Sequence, residues 1–150
     1  MSATAKVLES HFDYKMDPKN RVSIPVDYRP EAEGSSIRLL ASHEHKLPVI
    51  KVFGVEVFED KFRQIEAADM PQAQKNALVG SLRMLSKEAA ISAQGKLTIP
   101  KEWAEKIGLK ADGPVKLGGR GNYFIICTQE TFQRIVEIES TLDDGGLGVL

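Results

Sequence analysis

The sequence is poor in cysteine, with Cys127 as its single thiol, so no internal disulfide can form. This residue ends the apolar run 123–127, which is typical of a buried strand. A catalytic thiol would need a base nearby to activate it, and no residue local in the sequence supplies one. We therefore interpret Cys127 as a buried strand residue.

Long apolar runs are also missing. No stretch approaches the roughly 18 apolar residues that a membrane-spanning helix requires. Residues 1–6 are not followed by the apolar region of a secretory signal. These absences lead us to expect a cytoplasmic protein with no membrane partner.

The chain lacks a strong charge of either sign, because its formal net charge is −1 and its pI is about 6.3. This balance argues mildly against a strongly basic nucleic-acid binder. It does not exclude one, since a local basic patch on an acidic protein is enough to meet phosphates. With 42% hydrophobic and 27% charged residues, 150 residues fit one compact soluble unit or two small intertwined halves.

Two short patterns suggest ligand sites only weakly. His43 and His45 could be metal ligands, but no further ligands cluster in the sequence around them, and solvated turn histidines are the simpler interpretation. The glycine-rich segment 118–122 lacks the Gly-Lys-Ser/Thr ending of a phosphate-binding loop and lies between two predicted strands. A hairpin turn explains it better. We expect no metal, no cofactor and no small-molecule substrate.

A repeated segment is the most informative feature that is present. Residues 17–25, DPKNRVSIP, recur in altered form at 92–100, SAQGKLTIP, an offset of 75 positions. Each copy predicts a tight turn, a short strand that alternates apolar and polar residues, and a stop at proline. A single hairpin of this kind would be unremarkable. Its repetition at half the chain length, with turn, basic residue and proline in register, indicates an internal duplication.

Three positions define each predicted turn. The first residue can accept a backbone N–H through its side-chain oxygen, and the fourth must tolerate positive φ. The fifth is basic and begins the outgoing strand. These positions are Asp17, Asn20 and Arg21 in the first copy and Ser92, Gly95 and Lys96 in the second.

The remaining pattern predicts similar elements in both halves. In the first half, strands are expected at 11–16, 37–41 and 47–53, with a turn at 42–46 and a helical turn at 26–29. In the second half, 89–91 leads into the turn, a helix at 101–107 ends at Gly108, strands lie at 115–117 and 123–127, and a last helix follows.

Two amphipathic helices are predicted between the halves. Their apolar stripes are Phe58, Phe62 and Ile65, and then Leu78, Leu82 and Leu85 after the helix-opening Pro71. Core packing is the simplest interpretation of both stripes. The alternative is a contact between subunits.

The first copy, with its Asp-x-x-x-Arg spacing, resembles the signature of the MraZ family, and the second resembles a degraded form of that family's second signature. The resemblance spans roughly residues 10–135. It implies an α+β fold, mainly β, in which one chain carries two AbrB-like halves, each a double-split or swapped-hairpin β-barrel, with helical connectors. The implied divisions are a flexible tail at 1–10, repeats at 11–57 and 88–128, a helical connector at 58–87, a helix at 129–140 and a disordered tail at 141–150.

The resemblance also implies a function. MraZ proteins are bacterial transcriptional regulators of the division and cell-wall gene cluster, so we expect a nucleoid-associated ring homo-oligomer that binds promoter repeats in double-stranded DNA. The motif carries over fully onto Asp17 and Arg21, whereas Ser92 and Lys96 stand where the family usually has an acid and an arginine. The expected DNA-binding residues are Lys15, Asp17, Lys19, Arg21, Arg29, Lys96 and Lys101.

Two other functions compete with DNA binding as interpretations of this sequence. A ring-forming scaffold could use the same basic loops to bind a protein partner or an acidic polymer. An enzyme is disfavoured because no catalytic constellation is visible, and acids such as Glu56 and Glu59 lie on a predicted helix surface. DNA binding by a regulator that is not an enzyme remains the leading expectation.

Overall fold

The computed structural model describes residues 6–32 and 34–149, which form a mixed α/β structure with two antiparallel sheets. The predicted tail at 1–10 therefore lies partly outside the described residues. The strands are β1 (His11–Lys15), β2 (Arg21–Ser23), β3 (Ser36–Glu44), β4 (Leu47–Gly54), β5 (Ser86–Ala90), β6 (Lys96–Thr98), β7 (Pro114–Gly119) and β8 (Phe124–Cys127). The helices are α1 (Val55–Ala67), α2 (Gln72–Met84), α3 (Lys101–Ile107) and α4 (Gln129–Ser140), with a 3-10 turn at Val26–Tyr28.

The two halves of the chain exchange strands. The larger sheet has the order β1-β7-β8-β4-β3-β5, and β2 pairs with β6 in a separate ribbon. The first strand of each half, β1 or β5, pairs with a hairpin strand of the other half, β7 or β3. The order reads the same from either end when equivalent strands of the two halves are interchanged. The duplication seen in the sequence is therefore also a duplication of strand pairing.

The larger sheet has β1 and β5 as its edge strands. Within the described residues, these two edge strands do not pair with each other. The mixed architecture, with a larger antiparallel sheet and four α-helices in those residues, confirms the α+β prediction at this level. The finer expectation of two swapped-hairpin barrels stays a prediction.

The main core lies between the larger sheet and the β2–β6 ribbon. Alternation places one set of strand residues here, including Leu39, Val52 and Leu117, which are almost wholly buried. Val22 and Leu97 reach the same core from the ribbon and are both 0% exposed. The ribbon is thus fixed to the sheet by its central residues, which leaves their strand neighbours for the outer surface.

The other face of the larger sheet carries α1 and α4, whereas α3 packs into the main core through Ala104 and Ile107. Phe53 and Phe58 bury the start of α1 against β4, and Ile125 and Ile135 bury α4 against β8. Core packing is therefore confirmed for Phe58, the first residue of the first predicted stripe.

Core packing is wrong for Leu78 and Leu85, two of the three residues of the second predicted stripe. Helix α2 contains no buried residue, and Leu78 and the helix-capping Leu85 are each 39% exposed. Only Leu82 of this stripe packs against a buried cluster, the one built on Phe53 and Phe58. The apolar face of α2 is accordingly left open within one chain.

The β3–β4 hairpin is tighter than predicted. Its turn consists of His45 and Lys46, with φ values of 50° and 67°, instead of the predicted five residues. Positive φ at both central residues matches the twist of the flanking strands and allows pairing up to Glu44 and Leu47. No glycine or asparagine announces this turn, which explains why the pattern missed its position.

His45 also anchors the first half to the last helix. Its Nε2 atom lies 2.7 Å from a carboxylate oxygen of Glu139, and the Arg120 guanidinium donates to both oxygens of that carboxylate. Hydrogen bonding from Arg120 lowers the pKa of Glu139 from about 4.5 to about 2, against the effect of desolvation and with support from His45. The turn histidine thus has a structural role in an ionic network.

Leu8 extends the pairing beyond β1. Its N–H and carbonyl bond with those of Gly121 at 2.7 and 3.0 Å. At the other end, Asp144 accepts the N–H of Gly146 at 2.9 Å within the predicted disordered tail.

No helix within the described residues is both long and apolar enough to cross a membrane.

Candidate nucleic-acid interface

The two motif turns adopt the same hydrogen-bond pattern. Asp17 N–H donates to the Arg21 carbonyl at 2.9 Å, and Asn20 N–H donates to the Asp17 carbonyl at 3.1 Å. The equivalent bonds of the second turn, from Ser92 to Lys96 and from Gly95 to Ser92, are both 2.8 Å. The repeated sequence therefore builds the same turn twice.

The predicted positive φ is confirmed in both turns, at 59° for Asn20 and 78° for Gly95. Side-chain oxygens also act as predicted, since Asp17 Oδ1 accepts Arg21 N–H at 2.8 Å and Ser92 Oγ accepts Lys96 N–H at 3.1 Å. These bonds fix the direction in which each outgoing strand leaves its turn.

Asp17 also fixes the side chain of Arg21. Its second oxygen, Oδ2, lies 2.7 Å from Arg21 Nε, and the arginine side chain remains 41% exposed. Desolvation is the largest single influence on the pKa of Asp17 and raises it. The N–H groups of Arg21 and Lys19 and the Arg21 guanidinium together outweigh it, so the pKa lies below its usual value. An ionised Asp17 can thus orient an arginine whose side chain remains partly exposed.

The two turns are joined to each other by a reciprocal pair of backbone bonds. Ile24 N–H donates to the Gly95 carbonyl at 2.9 Å, and Ile99 N–H donates to the Asn20 carbonyl at 2.8 Å. Each strand end is therefore attached to the turn of the other copy. This exchange places both motifs side by side, although they lie far apart in the sequence.

The β2–β6 ribbon has one face in the core and one face outside. Val22 and Leu97 are fully buried, so their neighbours project from the opposite face. Those outward residues are Arg21, Ser23, Lys96 and Thr98. Because Arg21 pairs with Thr98 and Ser23 with Lys96, each basic residue faces a hydroxyl residue of the other half.

The pairing creates a contact that sequence reasoning missed. Lys96 Nζ donates to Ser23 Oγ at 2.9 Å, across the ribbon. The alternation of residues 22–24 and 97–99 signalled that Ser23 and Thr98 face away from the core. The pairing of β2 with β6, which puts them beside the basic residues, could not be read from the sequence because neither strand has its partner in its own half.

Arg29 turns toward the protein itself. Its Nε donates to the Ile24 carbonyl at 2.8 Å, and its guanidinium lies over Gly95. The side chain thus connects the end of β2 with the second turn. Its role as a DNA contact stays a prediction.

The other predicted contacts, Lys15, Lys19 and Lys101, are exposed. Segments 15–25 and 92–101 together contain five Lys or Arg residues and one acid, Asp17, which is engaged by Arg21. A locally basic surface therefore exists on a chain whose net charge is −1. This arrangement suits phosphate binding and the recognition of base edges better than proton transfer or covalent catalysis.

The features that suggested other chemistry do not form sites in the described residues. Within residues 6–32 and 34–149, no group of three or more His, Cys, Asp or Glu side chains is placed to hold a metal ion. Burial raises the pKa of the Cys127 thiol to about 12, which disfavours the reactive thiolate.

Comparison with known proteins finds a similarity to a transcriptional regulator. The chain is 28% identical over 102 residues to a Corynebacterium kroppenstedtii protein named transcriptional regulator MraZ. The match covers 67% of this chain and 68% of that protein. No protein-family model matches the chain.

Proposed function

The chain is assigned to the MraZ family, and from this premise we propose that it is a sequence-specific DNA-binding transcriptional regulator rather than an enzyme. Its target is the promoter region of the bacterial division and cell-wall gene cluster, where it binds repeated boxes. The proposal places the protein in the cytoplasm, associated with the nucleoid.

The pairing of β2 with β6 is the observation that carries this proposal. It unites the two motif copies in one ribbon whose outward face combines two cations with two hydroxyl groups. The major groove of B-DNA admits a two-stranded β-ribbon. Arginine and lysine can bind guanine edges or phosphates there, and serine and threonine hydroxyls can contact either base type.

The exposed lysines beside the ribbon supply phosphate contacts. Lys15 precedes the first turn, Lys19 lies within it and Lys101 follows β6, and all three are available to solvent. Contacts of this type position a protein on DNA and add affinity without reading sequence. Base contacts then come from the ribbon face, with Arg21 as the best-oriented donor.

Binding to repeated boxes requires more than one copy of this surface, so we propose a ring-shaped homo-oligomer. Few phosphate contacts are available per chain, and several linked copies gain apparent affinity through effective concentration. The open apolar face of α2, with Leu78 and Leu85 each 39% exposed, offers a candidate subunit interface. Its burial between chains would cover Leu78 and Leu85, which remain partly exposed within one chain.

The proposal is tested by binding of the purified protein to the DNA upstream of its own gene, with footprinting. We expect protection of repeated boxes, and an affinity that falls steeply with salt as phosphate counterions are released. A scrambled duplex of the same length is the matched control and should bind at least about 10³-fold more weakly under the same conditions.

The same experiment distinguishes the proposed regulator from the alternative, a ring-forming scaffold that binds an acidic polymer. A scaffold would bind heparin or polyglutamate as tightly as the upstream duplex and would show no footprint. Equal affinity for the upstream and scrambled duplexes would overturn the proposal of sequence-specific regulation.

A further inference from the structure

The second motif turn has one orienting group fewer than the first. Asp17 uses Oδ1 to accept the Arg21 N–H and Oδ2 to accept from the Arg21 side chain. Ser92 has a single oxygen, which accepts the Lys96 N–H. Nothing in its own turn therefore orients the ammonium group of Lys96.

The other half of the chain supplies the missing group. Ser23 lies directly opposite Lys96 in the ribbon, and its Oγ accepts from Lys96 Nζ at 2.9 Å. Both side chains are half-buried, so the contact is partly shielded from water. Ser23 thus does for the second motif what Asp17 does for the first.

We propose that Ser23 is a positioning residue for Lys96, so that the second motif presents an oriented ammonium group to DNA. The inference rests on the proposed function and deepens it. In this arrangement, Ser23 of the first half affects the DNA contact that Lys96 of the second half makes.

The chemistry of the pair supports this role. Lysine is a point charge on a flexible four-carbon stem, and ordering such a side chain at an interface costs conformational entropy. A contact that already orders Lys96 before binding reduces that cost. The Ser23 hydroxyl uses a lone pair to accept from Lys96, so its own O–H remains free to donate. The pair therefore offers two adjacent donors, which suits phosphate oxygens.

A double-mutant cycle tests the inference. Dissociation constants for the upstream and scrambled duplexes are measured over a salt series for the wild type, Ser23→Ala, Lys96→Met and the double variant. Lys96→Met should weaken binding and lower the magnitude of the log–log salt slope by about 1. Ser23→Ala should weaken binding about 3- to 10-fold alone, and less than about 1.5-fold in the Lys96→Met background. Ser23→Thr keeps the hydroxyl and should therefore bind as tightly as the wild type.

Thr98→Val is the matched control. Thr98 occupies the equivalent strand position but faces Arg21, whose guanidinium is already held by Asp17. The effects of Thr98→Val and Lys96→Met should therefore add. Thermal unfolding of each variant provides a second readout, and Ser23→Ala should leave the melting temperature within about 1–2 °C of the wild type.

The outcomes separate the inference from the proposed function. If the wild type binds the upstream duplex but the effects of Ser23→Ala and Lys96→Met simply add, Ser23 does not position Lys96. A loss of binding by Ser23→Ala that follows a matching loss of thermal stability also overturns the inference, because Ser23 would then be only structural. If the wild type binds neither duplex, the proposed function fails and the inference fails with it.

Discussion

The guanidinium of Arg29 lies directly over Gly95, so that a Cβ atom added to this glycine would collide with Arg29 Nη2. The glycine therefore meets two requirements at once. Its φ of 78° is unfavourable for most side chains, and its α-carbon leaves room for an arginine from the first half. Asn20 occupies the equivalent turn position with a φ of 59°.

Gly95→Ala should lower the free energy of unfolding by about 2–3 kcal/mol. About 1–2 kcal/mol comes from the left-handed backbone conformation, and the rest comes from displacing Arg29 from the Ile24 carbonyl, a hydrogen bond of about 0.5–1.5 kcal/mol. Chemical denaturation of the purified variant measures the change.

Two comparisons separate the contributions to the Gly95→Ala effect. Asn20→Ala tests the backbone conformation at the equivalent position and should cost less. In an Arg29→Ala background, Gly95→Ala should lose the part of its effect that arises from the displaced guanidinium. Equal costs with and without Arg29 would contradict the steric explanation.

The motif turns were predictable because their determinants are local. The side-chain acceptors Asp17 and Ser92, and the positive φ of Asn20 and Gly95, act within five residues of the chain. The exposure of the α2 stripe was not predictable, because an apolar spacing in the sequence does not distinguish a core from an uncovered surface. Long-range strand pairing was equally invisible, and it produces the Ser23 contact.

The β3–β4 turn shows the same division between local and distant causes. Its position depends on His45 and Lys46, which adopt positive φ without the usual glycine or asparagine. The interaction of His45 with Glu139 joins residues that are 94 positions apart. A His-x-His pattern could suggest a metal site, but no sequence pattern indicated an ionic partner in the last helix.

The free energy of unfolding should fall as the pH drops from about 4.5 toward about 2, in part through Glu139. The folded state lowers the pKa of this carboxylate to about 2, mainly through Arg120. A lowered folded-state pKa contributes stability above the unfolded-state pKa, and this contribution disappears as the pH falls through the folded-state value. Urea denaturation at several pH values measures the decline.

Glu139→Gln should flatten the pH dependence in this window, because glutamine does not titrate. Glu137→Gln is the matched control, since Glu137 lies on the same helix and pairs with exposed Arg134. The Glu137 variant should retain the wild-type decline. A Glu139→Gln variant whose stability falls as steeply as that of the wild type would exclude this carboxylate as a main contributor.

The open face of α2 predicts an effect on assembly. Leu78→Lys combined with Leu85→Lys should shift the proposed homo-oligomer toward smaller species, because charged side chains would be buried at the proposed interface. Light scattering at micromolar concentration measures the mass, and circular dichroism checks that the fold is retained. As a control, Asn76→Lys adds charge at an exposed position on the opposite side of α2 and should leave the mass unchanged. A wild-type protein that is monomeric at this concentration would refute the oligomer itself.

The two motif copies should contact different parts of the DNA. Arg21 presents a planar fork oriented by Asp17, and this geometry can recognise a base edge. Lys96 presents a point charge beside Ser23, which suits a phosphate.

Arg21→Ala should therefore cost about 1–3 kcal/mol per engaged site and reduce discrimination between upstream and scrambled duplexes. Lys96→Ala should cost less and weaken both duplexes about equally. Titration of both variants, with oligomeric state checked, measures these effects. Loss of sequence preference in Lys96→Ala together with its retention in Arg21→Ala would reverse the assigned roles.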